Sequence, residues 1–116
     1  MLVAFSVSVS GAPIPADPSD PEYRPDSLHD AVAAAVQVVE ESGLPHRSDA
    51  MFTTIEGEWD EVMDVVRRAC EAIGRFGPRV SLVLKADIRP GMTGELTGKV
   101  DRLRAALARA ADATDA

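Results

Sequence analysis

Hydrophobic periodicity switches along this chain in a fixed order, and that order leaves few folds open. Residues 2–9, Leu-Val-Ala-Phe-Ser-Val-Ser-Val, alternate at period two. Val3, Phe5, Val7 and Val9 share one side and Ala4, Ser6 and Ser8 the other, the pattern of a strand with one core face. A helix follows from Asp26 or Ser27, with Ser27 as its cap and Asp30 three residues on. Leu28, Val32, Val36 and Val39 form its apolar stripe, and Gly43 and Pro45 end it. Residues 46–57 read as a tight strand pair, 46–49 at the edge and 51–56 inside. The turn falls near Asp49-Ala50 but lacks an Asn-Gly signal, so one bent strand also fits. A second helix over 59–75 is striped by Val62, Val66, Ala69 and Ile73. Its early Glu58, Asp60 and Glu61 and later Arg67, Arg68 and Arg75 complement the helix dipole. A last strand over 79–88 alternates Val80, Leu82, Leu84 and Ala86 with Ser81, Val83, Lys85 and Asp87. A third helix over 95–111 is striped by Leu96, Val100, Leu103 and Leu107, and residues 112–116 fray.

Strand, helix, strand, strand, helix, strand, with right-handed crossovers, gives a ferredoxin-like α+β sandwich. A four-stranded antiparallel sheet carries two helices on one face, with the first and third strands central and a further C-terminal helix. The chain is then one domain over residues 1–111. The other sheet face collects Ala4, Ser6 and Ser8 with Ser81, Val83, Lys85 and Asp87. If Met51 and Ile55 point into the core, Phe52, Thr54 and Glu56 join that face and Thr53 points inward. A half-apolar, half-hydroxylated face of this kind is expected to pack against another subunit. Its hydroxyls either fill that interface or orient a small ligand.

The 116 residues suit one domain, and the net charge of −7 disfavours nonspecific nucleic-acid binding and anionic membrane surfaces. No apolar run approaches the roughly 18 residues of a membrane span. The start lacks the basic charge of a secretory signal, Arg24 being the first cation. With Cys70 alone there is no internal disulfide, so a cytoplasmic location is expected, with Cys70 a small core side chain. Pro13, Pro15, Pro18, Pro21 and Pro25 make residues 11–25 a loop insertion, either passive or a lid.

Catalytic motifs are thin. His29 and His46 fall in different elements and make no metal site, and no metal is expected. Gly91-Met92-Thr93-Gly94 lacks the context of a phosphate loop, and no nucleophile elbow is present. An acylphosphatase on this fold needs a water-orienting Asn, and the chain contains no Asn.

Met51-Phe-Thr-Thr-Ile-Glu-Gly57, followed by Glu58-Trp-Asp-Glu-Val-Met63, resembles the Thr-x-x-Glu-Gly segment of the small thiamine-binding proteins, the YkoF-like group. Glu41-Ser-Gly-Leu-Pro45 and Arg79-Val-Ser-Leu-Val-Leu-Lys-Ala-Asp-Ile-Arg89 extend the likeness, which covers nearly all of residues 1–9 and 27–108. The resemblance implies a ferredoxin-like protein that forms dimers or tetramers through its sheets. It implies binding of thiamine or its aminopyrimidine (hydroxymethylpyrimidine) part by a carrier or sensor rather than a catalyst, with no required cofactor, and the charge balance adds the expectation of no nucleic-acid or membrane partner. Two features depart from the family: the long proline-rich segment, and Phe52 where a small residue is common. The expected ligand-binding residues are Ser6, Ser8, Phe52, Thr54, Glu56, Lys85, Asp87 and Arg89. Glu56 balances the thiazolium cation, or serves as a strand-end carboxylate for the following helix start. Ser6, Ser8 and Thr54 bond the pyrimidine and Phe52 stacks on a ring. Lys85 and Asp87 line the site or pair with each other. Arg89 pairs with Asp87 or lines the rim. The alternative reading is an oligomerising regulatory or structural module that uses the same face without a ligand.

Overall fold

The computed structural model describes residues 1–11, 19, 21 and 27–115, with side chains undescribed at 27–29, 114 and 115. The proline-rich segment therefore lies largely outside the described residues, as do the side chains of Ser27, Leu28 and His29. The elements are β1 (Leu2–Ser10), α1 (Ser27–Glu41), β2 (His46–Ser48), β3 (Thr53–Glu56), α2 (Trp59–Ile73), β4 (Arg79–Asp87) and α3 (Glu95–Asp115), with a short 3-10 turn at Gly74–Phe76. The sheet runs β2-β3-β1-β4, every pair antiparallel. This is the expected ferredoxin-like order, with β1 and β3 central.

Cross-strand register fixes which side chains share a face, because directly opposed residues point the same way. Val3 opposes Ile55 and Ala86, and Phe5 opposes Thr53 and Leu84. These are the helix-side rows. Thr53 points inward, as the alternation requires once Ile55 is core. Val3, Phe5 and Ile55 are buried against Ala35 and Val39 of α1 and Val62, Val65, Val66 and Ala69 of α2. The whole α2 stripe (Val62, Val66, Ala69, Ile73) is buried. Its entry is held by a Glu58–Glu61 capping box, in which the Glu58 N–H donates to Glu61 Oε1 at 3.1 Å. Cys70 packs half-buried against this core, and burial pushes its thiol pKa up, away from the reactive thiolate.

Four expectations about facing are corrected. In α1 the buried residues are Ala31, Ala35 and Val39, whereas Val32 is 45% exposed. The buried stripe is rotated by one position, and alanine lets the helix approach its neighbours closely. Met51 points to solvent at 73% exposure, because residues 49–52 are a tight turn and not part of a strand. Asp49 holds that turn. Its Oδ1 accepts from the N–H groups of Met51 (2.8 Å) and Phe52 (2.9 Å), and these amides hold its carboxyl pKa down. The single bent strand is thereby excluded. In β4, Leu82 and Ala86 are exposed and Val80 and Leu84 half-buried, since β4 is the sheet edge and the helices cover mainly its centre. In α3, Leu96 and Val100 are half-buried, but Leu103 and Leu107 stand 59% and 61% exposed. The helix rests its first turns on the sheet and then leaves the body, with residues 101–113 all exposed.

Gly43 ends α1 at φ +75°, the left-handed stop that the sequence anticipates. Gly77 is needed for closeness instead. A Cβ there would lie 2.6 Å from Val9 Cγ2 and 2.9 Å from the Ser10 carbonyl oxygen, so the turn into β4 presses directly on the end of β1.

Candidate functional site

The face away from α1 and α2 is laid out in rows. Leu2, Glu56 and Asp87 form the first, and Arg47, Thr54, Ala4 and Lys85 the second, spanning all four strands. Ser6 with Val83, Ser8 with Ser81, and Ser10 with Arg79 follow. Successive rows lie about 7 Å apart along the strands, two residues at the usual rise. The register therefore brings Ser6, Ser8, Thr54 and Lys85 onto one surface. Arg47, which the sequence reading did not single out, joins them because β2 pairs in register with β3.

The first row is built differently. Glu56 is 8% exposed and caps α3, its Oε2 accepting from the Glu95 N–H at 2.8 Å and its Oε1 from the Leu96 N–H at 3.3 Å. A strand-end carboxylate does serve a helix start, but that of α3, some forty residues away, while Glu58 and Glu61 serve α2. Asp87 pairs with Lys99 of α3 and not with Lys85. Arg89 lies 3.7 Å from Glu95 Oε2 and not against Asp87. Glu95, 5% exposed, also takes Arg102 Nη2 at 2.6 Å, and that hydrogen bond holds its carboxyl below the usual carboxylate range. Glu56, Asp87 and Arg89 thus form one α3-docking cluster with Glu95, Lys99 and Arg102. Glu95 follows a glycine turn at a helix start, which marks it as a first-turn acid. Its partners are invisible locally.

Phe52 is half-buried in the β2–β3 turn and lines a cavity of about 210 Å³ with Val32 and Val36 of α1, rather than standing beside Thr54. At the other end of the sheet two adjoining clefts share Met1, Glu58 and Met92. One, about 170 Å³, is walled by Trp59, Ile88 and Arg89; the other, about 220 Å³, by Leu44, Pro45 and Glu56. Trp59 is 54% exposed there, and no local pattern set it apart from the helix start it begins. Among the described residues no helix is long and apolar enough to cross a membrane.

Residues 18–104 match a family model described as thiamine-binding protein. A UPF0045 protein of Mycobacterium bovis is 46% identical over 101 residues, 86% of this chain and 87% of that one. A Bacillus cereus structure of a domain of unknown function (DUF77) superposes with a TM-score of 0.61 at 30% identity, over 81% of this chain and 82% of that one. A Thermotoga maritima protein proposed to act in thiamine biosynthesis or salvage superposes with a TM-score of 0.61 at 26% identity, over 89% and 99% of the two chains.

Proposed function

Since the chain belongs to the thiamine-binding protein family, we propose that it binds thiamine, or its aminopyrimidine part, reversibly on the open sheet face and without turnover. The observation that carries this reading is the row geometry. Ala4 leaves a shallow floor on the central strand, with the Thr54 hydroxyl beside it and the hydroxyls of Ser6 and Ser8 one and two rows further along. A flat heteroaromatic ring fits such a floor, and hydroxyls both donate to and accept from its nitrogens. His46 opposes Ile55 and so projects to the helix side, away from these hydroxyls.

Glu56 acts in this reading by positioning α3, whose first turns wall one end of the floor. The face is closed by a second copy of the chain in a cytoplasmic dimer or tetramer. Val83, 58% exposed on the edge strand β4, and the exposed Leu103 and Leu107 of α3 supply apolar surface for that contact.

Calorimetric titration of the purified protein tests the reading. Saturable heat with thiamine or hydroxymethylpyrimidine, weakened about tenfold in Thr54→Val by loss of one hydroxyl contact, is the expected outcome. No heat with either compound would leave an oligomerising module without a ligand as the better account.

A further inference from the structure

The charges of the open face do not balance, and the imbalance has a local cause. Its carboxylates are Glu56 and Asp87, and α3 takes both: Glu56 through two backbone amides, Asp87 through Lys99. Its cations are Arg47, Lys85 and Arg79, all exposed, and none makes an ion pair among the described residues. At the rim Arg89 and Arg102 share the single carboxylate of Glu95. Among the described residues, docking α3 therefore leaves this face cationic, on a chain whose net charge is −7. On the outer surface of α2, by contrast, Arg67 and Arg68 are matched by Asp64 and Glu71.

Two of the open face's cations stand in one row. Arg47 and Lys85 flank Thr54 and Ala4 from the two edge strands, three strand spacings or about 14 Å apart. Their long side chains can converge over the short residues between them. That pair, with the Thr54 hydroxyl beneath, supplies charge-assisted donors in the number a phosphoryl group accepts. With the phosphoryl group on the Ala4–Thr54 row, the ring of an ester lies one row further on, over Ser6 and Val83, and not on the Ala4 floor that the unphosphorylated ring takes. Thiamine carries one positive charge, and the cations of this face weaken its binding, whereas a phosphate or diphosphate ester of it is net negative and gains from them.

We propose that the open face is a phosphoryl-recognition surface, so that its preferred ligand is a phosphate ester of thiamine or of its hydroxymethylpyrimidine part, held by Arg47, Thr54 and Lys85. This rests on the function proposed above. The experiment is a set of calorimetric titrations at low and at physiological salt. The probes are thiamine, thiamine diphosphate, hydroxymethylpyrimidine, its phosphate, inorganic pyrophosphate and ATP.

The expected result is that each ester binds at least about tenfold tighter than its parent alcohol, with the preference shrinking as salt rises. Lys85→Ala and Arg47→Ala should each bring the ester-to-alcohol ratio down about tenfold. Arg104→Ala, on the part of α3 that leaves the body, should not change it. Equal affinity for esters and alcohols, or a ratio untouched by Lys85→Ala, would overturn the proposal while leaving thiamine binding intact. Inorganic pyrophosphate or ATP binding as tightly as the esters would also overturn it, since the face would then read an anion and not this ligand. Failure of every pyrimidine compound to bind would instead remove the function on which the proposal rests.

Discussion

Glu56 shows how one side chain links the sheet to the helix that walls its open face. Its carboxylate is buried, and two α3 amides are its partners. Replacing it by Gln keeps the shape but weakens two charge-assisted bonds. Glu56→Gln is expected to lower stability by about 1–2 kcal/mol, measured by urea denaturation, with the loss of amide protection confined first to Glu95 and Leu96. Equal loss of protection throughout the core would contradict a capping role. The sequence marked Glu56 as a strand-end acid beside a helix start, which is its chemistry, but gave the wrong helix. Residues 56 and 95 are joined only by the fold, and no local pattern carries that distance. For the same reason Asp87 and Arg89 were legible as a charged strand ending, while their partners Lys99 and Glu95 were not.

At the scale of elements, the docking of α3 is electrostatic at its start and apolar for about two turns. The cluster predicts a pH response. The Arg102 hydrogen bond lowers the Glu95 pKa below its ordinary 4.5, so the folded state favours the ionised form. Its contribution is complete above that ordinary value and is lost as pH falls through the depressed folded value. Exchange protection of the first α3 amides is therefore expected to hold at pH 6 and to fall on acidification below about pH 4.5, ahead of β1 and β3. Protection unchanged down to global unfolding would contradict it. Elements with strong periods were readable from sequence: β1, α2 and the strand order all follow from alternation and stripe. The phase of α1 was not, because Ala31 and Ala35 carry less weight in an apolar stripe than Val32 and Val36, yet are the residues small enough for the tight contact. The extent of β3 was missed because the side chain of Asp49 takes two amides and removes Met51 and Phe52 from the ladder.

For the molecule as a whole, the surfaces left uncovered matter most. The chain extends 68 Å along its longest axis with a radius of gyration of 18.5 Å, against about 13 Å for a compact chain of this size. A 21-residue helix is about 31 Å long, and the outer part of α3 exposes Leu103 and Leu107 on the line begun by Leu96 and Val100. An apolar line of this kind asks for a partner, and the proposed oligomer supplies one. Leu103→Ser with Leu107→Ser is expected to shift the protein to a smaller species in sedimentation velocity while leaving the monomer fold intact by circular dichroism. No change in sedimentation would show that α3 takes no part in assembly. The open face itself was legible in the sequence as an alternation of small, hydroxylated and charged residues. Its sign was not, because the charge left over depends on which carboxylates α3 consumes.

The most direct test of ligand binding on the open face is methyl NMR of the protein titrated with thiamine and its esters. Saturable shifts at the methyls of Ala4, Thr54 and Val83, with Val32 and Val36 beside the α1 cavity unmoved, are the predicted result. Shifts confined to Met1 and Met92 beside Trp59, or to the α1 cavity, would contradict the assignment of the sheet face as the binding site.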